Sequence, residues 1–222
     1  PDFEVFRIQD FYVYNGDVYI LGVLKNITNP SQFNLVYWKN GTKTVLLDNI
    51  EAFCTSYIRV LNDDVYVYYT DNTLFGVQGI IVNNNFDLIN SNYATVKMEA
   101  NESEVYIYGQ FPYSTDGFYY NYNTDIETIT PYPINELDLD QNDVFALASY
   151  NDDSFLEEIF KNNTLYYQSN LDRIDSFEMY NNKLYIIERN TNGQQILFAD
   201  NIPLITLDNA VGFFNSIYVF QN

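Results

Sequence analysis

The sequence predicts an all-β chain of the β-propeller class, and two observations carry that prediction. The first is a phrase that returns along the chain: an aliphatic residue, an aromatic and two more mostly apolar residues, after a turn rich in Asn and Asp. It reads Val18-Tyr19-Ile20-Leu21, Val65-Tyr66-Val67-Tyr68, Val105-Tyr106-Ile107-Tyr108, Val144-Phe145-Ala146-Leu147, Leu184-Tyr185-Ile186-Ile187 and, in a shorter closing copy, Ile217-Tyr218-Val219-Phe220. The copies start 47, 40, 39, 40 and 33 residues apart. A period of this size, built only of strands and turns, marks a radial or stacked all-β repeat. The second observation is that every copy is the second arm of a hairpin, and that another hairpin follows each of the first five.

The first arms are residues 11–14, 58–61, 96–100, 137–140, 177–180 and 211–214. Their turns include Asn15-Gly16-Asp17, Asn62-Asp63-Asp64, Gln141-Asn142-Asp143 and Asn181-Asn182-Lys183. Asn, Asp and Gly tolerate the positive φ that tight hairpin turns demand, and the flanking Tyr, Phe, Val and Ile suit a pleated, half-buried surface. The second hairpins turn at Lys39-Asn40-Gly41, Asn83-Asn84-Asn85, Asn123-Thr124-Asp125, Lys161-Asn162-Asn163 and Ala199-Asp200-Asn201. Their arms are 36–38 and 44–47, 79–82 and 86–89, 118–122 and 126–130, 158–160 and 165–168, and 196–198 and 203–206.

Two hairpins per repeat make the four strands of one propeller blade. The copies sum to 22 strands, and residues 3–8 alternate and supply one more. The expectation is therefore six blades of mostly four antiparallel strands, one of them three-stranded. Residues 3–8 are expected to pair with a strand from 211–221, so that both ends of the chain share a blade. The alternative is five blades plus an extra N-terminal hairpin packed elsewhere. A β-solenoid fits less well, because its coils run shorter and need no paired tight turns. No segment has helical periodicity, so helix is expected to be nearly absent.

Residues 1–222 read as a single domain, since no Pro/Gly/Ser linker divides them. The 22 Tyr and 17 Phe read first as packing between twisted sheets, with an exposed aromatic platform as the other use. The net charge of −20 repels phosphate backbones and argues against nucleic acid and anionic membranes. It reads as a solubilising coat, with calcium or a basic partner as the alternatives. Cys54 is the single cysteine, so no intramolecular disulfide forms, and its apolar flanks imply a buried thiol. No apolar run approaches a membrane span. The chain starts at Pro1, which a removed signal, a processed precursor or a partial chain would explain.

The absence of histidine removes Ser-His-Asp and Cys-His nucleophilic systems and His-based zinc sites. No Gly-rich phosphate loop occurs. Carboxylate pairs such as Glu157-Glu158 and Asp152-Asp153 read as solvated acids, with glycosidase chemistry as the rival. Asp138, Asp140 and Asn142 imitate positions 1, 3 and 5 of a calcium loop, but Asp143 replaces the Gly and Ser149 the closing Glu. No cofactor is expected, and only oxygen ligands, suited to Ca²⁺ or Mg²⁺, are available for a metal. Sequons occur at Asn26, Asn40, Asn101 and Asn162, the last three in predicted turns.

The run Asp17-Val18-Tyr19-Ile20-Leu21-Gly22, followed by Val36-Tyr37-Trp38-Lys39-Asn40-Gly41-Thr42, resembles the "DVYVAG … YWKNG" repeats of β-propellers from secreted and surface proteins of Bacteroidetes-type bacteria. Asp64-Val65-Tyr66-Val67 and Glu104-Val105-Tyr106-Ile107-Tyr108-Gly109 fit the same repeat. The resemblance implies an extracellular or envelope-associated propeller. It carries over no catalytic or ligand residue, because the shared letters are strand and turn residues.

The chain thus reads as a non-enzymatic binding or scaffold propeller, an accessory protein–protein interaction subunit of a surface or secreted assembly. A glycan-binding propeller is the second reading and an Asp/Glu-dependent glycosidase or lyase the third. Function in propellers sits on loops at one face. The candidate binding residues are therefore Asn26, Pro30 and Phe33 in the loop that lengthens the first repeat, Trp38 as a stacking surface, and Phe111, Tyr113 and Asp116 in a second loop.

Overall fold

Paired left-handed residues set the architecture. Asn15 and Gly16 have φ of 50° and 81°, Asn40 and Gly41 have 48° and 84°, and the pairing recurs at Asn62-Asp63, Asn83-Asn84, Asn162-Asn163, Asn181-Asn182 and Asp200-Asn201. Two successive residues with positive φ give the turn whose twist matches that of paired strands. A β-branched residue in these places would be strained. The Asn-rich turns therefore fix hairpin register locally, before any packing.

A computed structural model describes residues 2–71, 77–89, 93–148, 157–208, 214 and 217. In the first unit the strands are β1 (Phe3–Tyr14), β2 (Asp17–Asn26), β3 (Phe33–Lys39), β4 (Thr42–Ile50), β5 (Thr55–Leu61), β6 (Asp64–Thr70), β7 (Gln78–Val82) and β8 (Asn85–Leu88). Then come β9 (Thr95–Ala100), β10 (Val105–Gln110), β11 (Gly117–Asn121) and β12 (Ile126–Thr130). The chain continues with β13 (Ile134–Asp140), β14 (Asp143–Ala148), β15 (Glu158–Lys161), β16 (Thr164–Gln168), β17 (Arg173–Tyr180), β18 (Lys183–Arg189), β19 (Gln195–Ala199) and β20 (Ile202–Leu207). Among the described residues there is no helix. The strands form five antiparallel sheets in the orders β1-β2-β3-β4, β5-β6-β7-β8, β12-β11-β10-β9, β13-β14-β15-β16 and β17-β18-β19-β20. The chain divides into two compact units, residues 1–107 with 121–125, and residues 108–120 with 126–222.

Five sheets, each a first hairpin joined to the hairpin that follows it, fit the described chain better than the expected six. Residues 3–8 are not a separate strand. They continue into residues 11–14 as β1, which pairs with β2 from Phe3↔Asn26 to Tyr14↔Asp17 through two bulges. The bulges absorb the extra residues and let one long strand keep its apolar positions on one face. The leading hairpin is accordingly the first half of sheet one, neither a three-stranded blade nor a hairpin packed elsewhere. The sixth copy and the expected pairing of its strand with residues 3–8 fall on residues outside the described ones, apart from Phe214 and Ile217.

Register confirms the repeat. Tyr19, Tyr66, Phe145 and Tyr185 occupy one position, opposite Tyr12, Arg59, Asp138 and Glu178 of the preceding strand. In the first unit, Tyr12, Tyr14, Tyr19, Leu21, Leu35 and Tyr37 of sheet one pack with Ile58, Val60, Val65, Val67 and Ile81 of sheet two around the buried Cys54. In the second, Phe145, Leu147, Ile159 and Tyr167 of sheet four pack with Phe177, Met179, Leu184 and Ile186 of sheet five. Alternation along each strand separates these two faces. First strands meet directly: β1 packs on β5, β5 on β9, and β13 on β17. The last strands β8, β16 and β20 are mostly exposed.

Side chains of the first strands tie neighbouring sheets. Asp10 Oδ2 accepts from Ile58 N at 3.0 Å and from Arg59 Nη1 at 2.9 Å. Arg59 also meets Glu99 through Nε at 3.2 Å and Nη2 at 3.1 Å, and lies over the Tyr12 ring. Burial opposes the charge on Arg59, but Glu99 and Asp10 outweigh it and hold the guanidinium above its ordinary pKa. In the second unit Asp138 Oδ2 accepts from Met179 N, and Asp140 Oδ2 from Asn182 N at 2.9 Å.

Candidate functional site

The letters of the repeated motif are explained by a clamp between the two hairpins of a sheet. Asn40, first left-handed residue of the second turn, accepts at Oδ1 from Val18 N at 2.9 Å and donates from Nδ2 to Asp17 Oδ1 at 2.6 Å. Its own N donates to Val18 O at 2.9 Å, and Lys39 Nζ reaches Asp17 Oδ2 at 2.8 Å over the Tyr19 ring. The Lys39 hydrogen bond, then that of Asn40, draw the Asp17 carboxyl below its usual range. Asn83 with Asp64 and Asn162 with Asp143 repeat the clamp at 2.6 and 2.7 Å. Asp-Val-Tyr and Lys-Asn-Gly are thus one structural device, and two of the sequons are spent inside it.

The expected loop residues separate into structural and exposed groups. Asn26 is buried and caps its own loop. Its Oδ1 accepts from Thr28 N and Asn29 N at 2.9 and 3.1 Å, and its Nδ2 donates to Gln32 Oε1 at 2.7 Å. Phe33 lies in the core with Phe6 edge-on at 5.2 Å. Pro30 is exposed between them. In the other loop Phe111 is half-buried and packs on Phe118 at 5.3 Å, while Tyr113 is fully exposed with φ of 58°. Asp116 is exposed, and its carbonyl accepts from Phe111 N at 3.1 Å. Asn26 and Phe33 therefore build their loop and have no free face to offer.

Trp38 leads to a larger feature. It pairs with Ile20, which pairs with Phe11; parallel rows run Val13–Val18 and Ile8–Gly22–Val36–Val45. Directly opposed residues share a face, so these side chains form the face of sheet one turned away from sheet two. Its centre is shallow because Gly22 has no side chain. A Cβ there would stand 2.9 Å from Arg7 O, 3.1 Å from Trp38 Cζ3 and 3.3 Å from Ile8 Cδ1. The equivalent positions in sheet two are covered by sheet one, whereas on this face of sheet one Leu24 and Val36 are buried and several of their neighbours are exposed. Phe11, Val13 and Val18 are 63, 56 and 41 % exposed, against 0, 0 and 7 % for Ile58, Val60 and Val65. Leu137, Val144, Phe177, Met179 and Leu184, at the same places in sheets four and five, are buried. Val5, Ile8 and Val45 are also exposed and extend the apolar surface.

A second concave feature in the first unit is a groove of about 290 Å³ between β4 and the second sheet. Tyr69 and Phe86, edge-on at 6.5 Å, supply aromatic walls, and Asp48, Glu51 and Asp71 supply carboxylates. Burial pushes the Tyr69 hydroxyl above its ordinary pKa, with Cys54 and Asp71 adding to it and a hydrogen bond with the Glu51 backbone opposing it, so it stays a neutral donor. Asp48 Oδ1 accepts from Asn34 Nδ2 at 2.6 Å.

The acidic candidates do not converge. Asp138 and Asp140 accept backbone N–H groups of the neighbouring sheet, and among the described residues no three carboxylates could hold a metal ion together. Glu157 accepts from Ile174 N at 2.5 Å. Asp152 and Asp153 lie outside the described residues.

No family model and no curated protein sequence matches the chain. Among solved structures it is similar to Saccharomyces cerevisiae Sqt1, with a TM-score of 0.52 and 9% identity, over 92% of this chain and 62% of that one. The fold is a β-propeller. The chain spans 62% of the length of the Sqt1 structure. An α-L-arabinofuranosidase from Clostridium thermocellum reaches a TM-score of 0.42 at 11% identity, over 93% of this chain and 95% of that one. Aleuria aurantia lectin with α-methyl-L-fucoside reaches 0.45 at 7% identity, over 85% and 72%.

Phe11 and Val13 were not among the candidate site residues, and Val18 entered only as the first letter of the repeated phrase. Their letters match those of buried counterparts, and only their exposure distinguishes them. The groove carboxylates were equally hidden, since Asp48 and Asp71 come from different sheets.

Proposed function

We propose that this protein is a non-enzymatic binding propeller that docks a protein partner on the open face of its first sheet, outside the cytoplasm, as a subunit of a surface or secreted assembly. One observation carries the reading. A face that is core in the sheets that follow is left as exposed Phe, Val and Ile around the single Trp of the chain. Contiguous apolar surface of this kind marks an interaction site, and aromatic anchors dominate such interfaces. The absence of histidine and the dispersed carboxylates support a non-enzymatic role. The extracellular setting rests on the resemblance of the Asp-Val-Tyr and Trp-Lys-Asn-Gly segments to surface propellers. The sixth copy of the repeated phrase keeps a sixth blade within the proposal.

A glycan-binding reading is supported by the groove, where Tyr69 and Phe86 could stack on a sugar and Asp48, Glu51 and Asp71 accept from hydroxyls. One paired experiment separates the two. Wild type, Phe11→Glu/Val13→Glu and Glu51→Gln/Asp71→Asn are compared on a glycan array and in capture from native envelope and secreted fractions. A protein kept by wild type and the groove variant, and lost by the face variant, is the expected result. Glycan binding lost only in the groove variant would favour the second reading.

A further inference from the structure

We infer that the groove between β4 and the second sheet takes a hydroxylated primary amine, an amino-sugar unit with its nitrogen free, in preference to a neutral sugar. The inference deepens the glycan reading of that groove and rests on it; the docking reading of sheet one is independent of both. All of the described lining residues belong to the first unit. A glycine builds the aromatic wall. Gly79 stands opposite Tyr69 in the pairing of β6 with β7, and opposed residues share a face. With no side chain at Gly79 the Phe86 ring settles over it, where a Cβ would stand 2.5 Å from Phe86 Cζ and 2.8 Å from Cε2. Tyr69 and Phe86 meet there edge-on. The volume of about 290 Å³ lies at the small end for ligand pockets and suits one unit of a glycan.

The polar groups of the groove call for an acceptor and a cation on one ligand. Tyr69 is 95 % buried, at 5 % exposure. The Glu51 backbone N–H donates to its hydroxyl, and among the described residues nothing accepts the phenolic proton. Buried polar groups find a partner, and a sugar hydroxyl or ring oxygen is one. The carboxylates take the cation. Glu51 is exposed, and among the described residues its carboxylate makes no hydrogen bond or ion pair. Asp48 uses Oδ1 on Asn34 and keeps Oδ2. It stands at a bulge: Phe33 pairs with Ile50 and Asn34 with Asp48, so Asn49, with φ of 57°, is the extra residue. A bulge re-aims the side chains beside it. Asp71 is the third acid, and no Lys or Arg is among the described lining residues. In a chain with 30 acids and 10 Lys and Arg, such a groove attracts an ammonium and repels a carboxylate or sulfate on the ligand. The aromatic faces favour the same charge. A bare metal ion is not suited, since among the described residues no three acids stand close enough to hold one.

The test titrates the full chain with glucosamine, glucose, N-acetylglucosamine and n-butylammonium at one ionic strength, in slightly acidic buffer that keeps the amines protonated, with ligand-observed NMR as the readout. Glucosamine is expected to bind about tenfold or more tightly than glucose or N-acetylglucosamine, and more tightly than n-butylammonium. Glu51→Gln/Asp71→Asn should bring glucosamine down to the level of glucose, and Phe86→Leu should weaken every sugar. Glucosamine binding no better than the neutral sugars overturns the amino-sugar inference and leaves the glycan reading standing. n-Butylammonium binding as tightly as glucosamine overturns the inference too, as attraction by charge alone. No binding of any sugar overturns the inference and the glycan reading together. The comparison among ligands is made on wild type, so the outcome does not depend on a variant folding.

Discussion

Asp200 stands in sheet five where Asn40 stands in sheet one, and Lys183 stands where Asp17 stands. Asp200 keeps the half of the clamp it can make, accepting from Leu184 N at 3.1 Å, while its own N donates to Leu184 O at 2.9 Å. A carboxylate cannot donate as an Asn amide does, so an acid opposite it would be repelled. The acid moves from the first position to the second and a cation takes its place, and the backbone geometry is kept.

The clamp should therefore tolerate a double exchange and resent a single one. In sheet two, Asn83→Asp sets a carboxylate against Asp64 in place of a 2.6 Å hydrogen bond. It is expected to cost about 1–2 kcal/mol, read as a drop in urea midpoint. Adding Asp64→Lys should recover most of that. A double variant no better than the single one would show that the clamp is not the unit of design.

Arg59 is buried against Asp10 and Glu99. Replacing it with Leu leaves two carboxylates beside an apolar wall, at a cost of about 3–5 kcal/mol. Asp10→Asn with Glu99→Gln in the same chain should restore part of the loss, since the like charges are then gone. Denaturant titration of the three proteins measures both steps.

Burial pushes the half-buried Glu157 carboxyl above the ordinary range, against the pull of Ile174 N. Its folded state therefore holds the proton more tightly than the unfolded chain. The stability this lends is whole below the ordinary Glu pKa and disappears as pH rises through the raised folded value. Wild type should lose stability over that rise relative to Glu157→Gln. Urea midpoints taken from about pH 4 to pH 8 give the comparison, and a constant offset would contradict it.

Phe11 and Ile58 are sequence equivalents with opposite surroundings. Phe11→Glu should leave the melting midpoint of the isolated protein nearly unchanged, within about 0.5 kcal/mol. Ile58→Glu should unfold it or cost several kcal/mol through an unpaired buried charge. Equal damage from both would mean that the face of sheet one is covered in solution.

These contrasts mark how far the letters reach. Asn-Gly and Asn-Asn steps announce the hairpins because left-handed φ is a local demand, and Tyr19 and its counterparts announce the repeat because burial on one sheet face has a period of two. Phase was not written locally. The bulges that merge residues 3–8 into β1 leave no composition signal, so the extra length read as an extra strand. Arg59 could not be paired from sequence, because its partners lie 49 residues before and 40 after it. Phe11 and Val13 carry apolar letters like those of their buried counterparts, although they are exposed.

The bonds from Asp10 to the Ile58 amide, and from Asp138 and Asp140 to those of Met179 and Asn182, reach one sheet along and no further. Cooperativity is then passed hand to hand, as in a row of coupled units. A substitution inside one sheet has to be answered only by the sheets that flank it. The copies are thus free to drift apart, each pair of neighbours co-adapting, while the turns stay fixed by backbone geometry. That is how Trp-Lys-Asn-Gly can become Phe-Ala-Asp-Asn in sheet five with the hairpin intact.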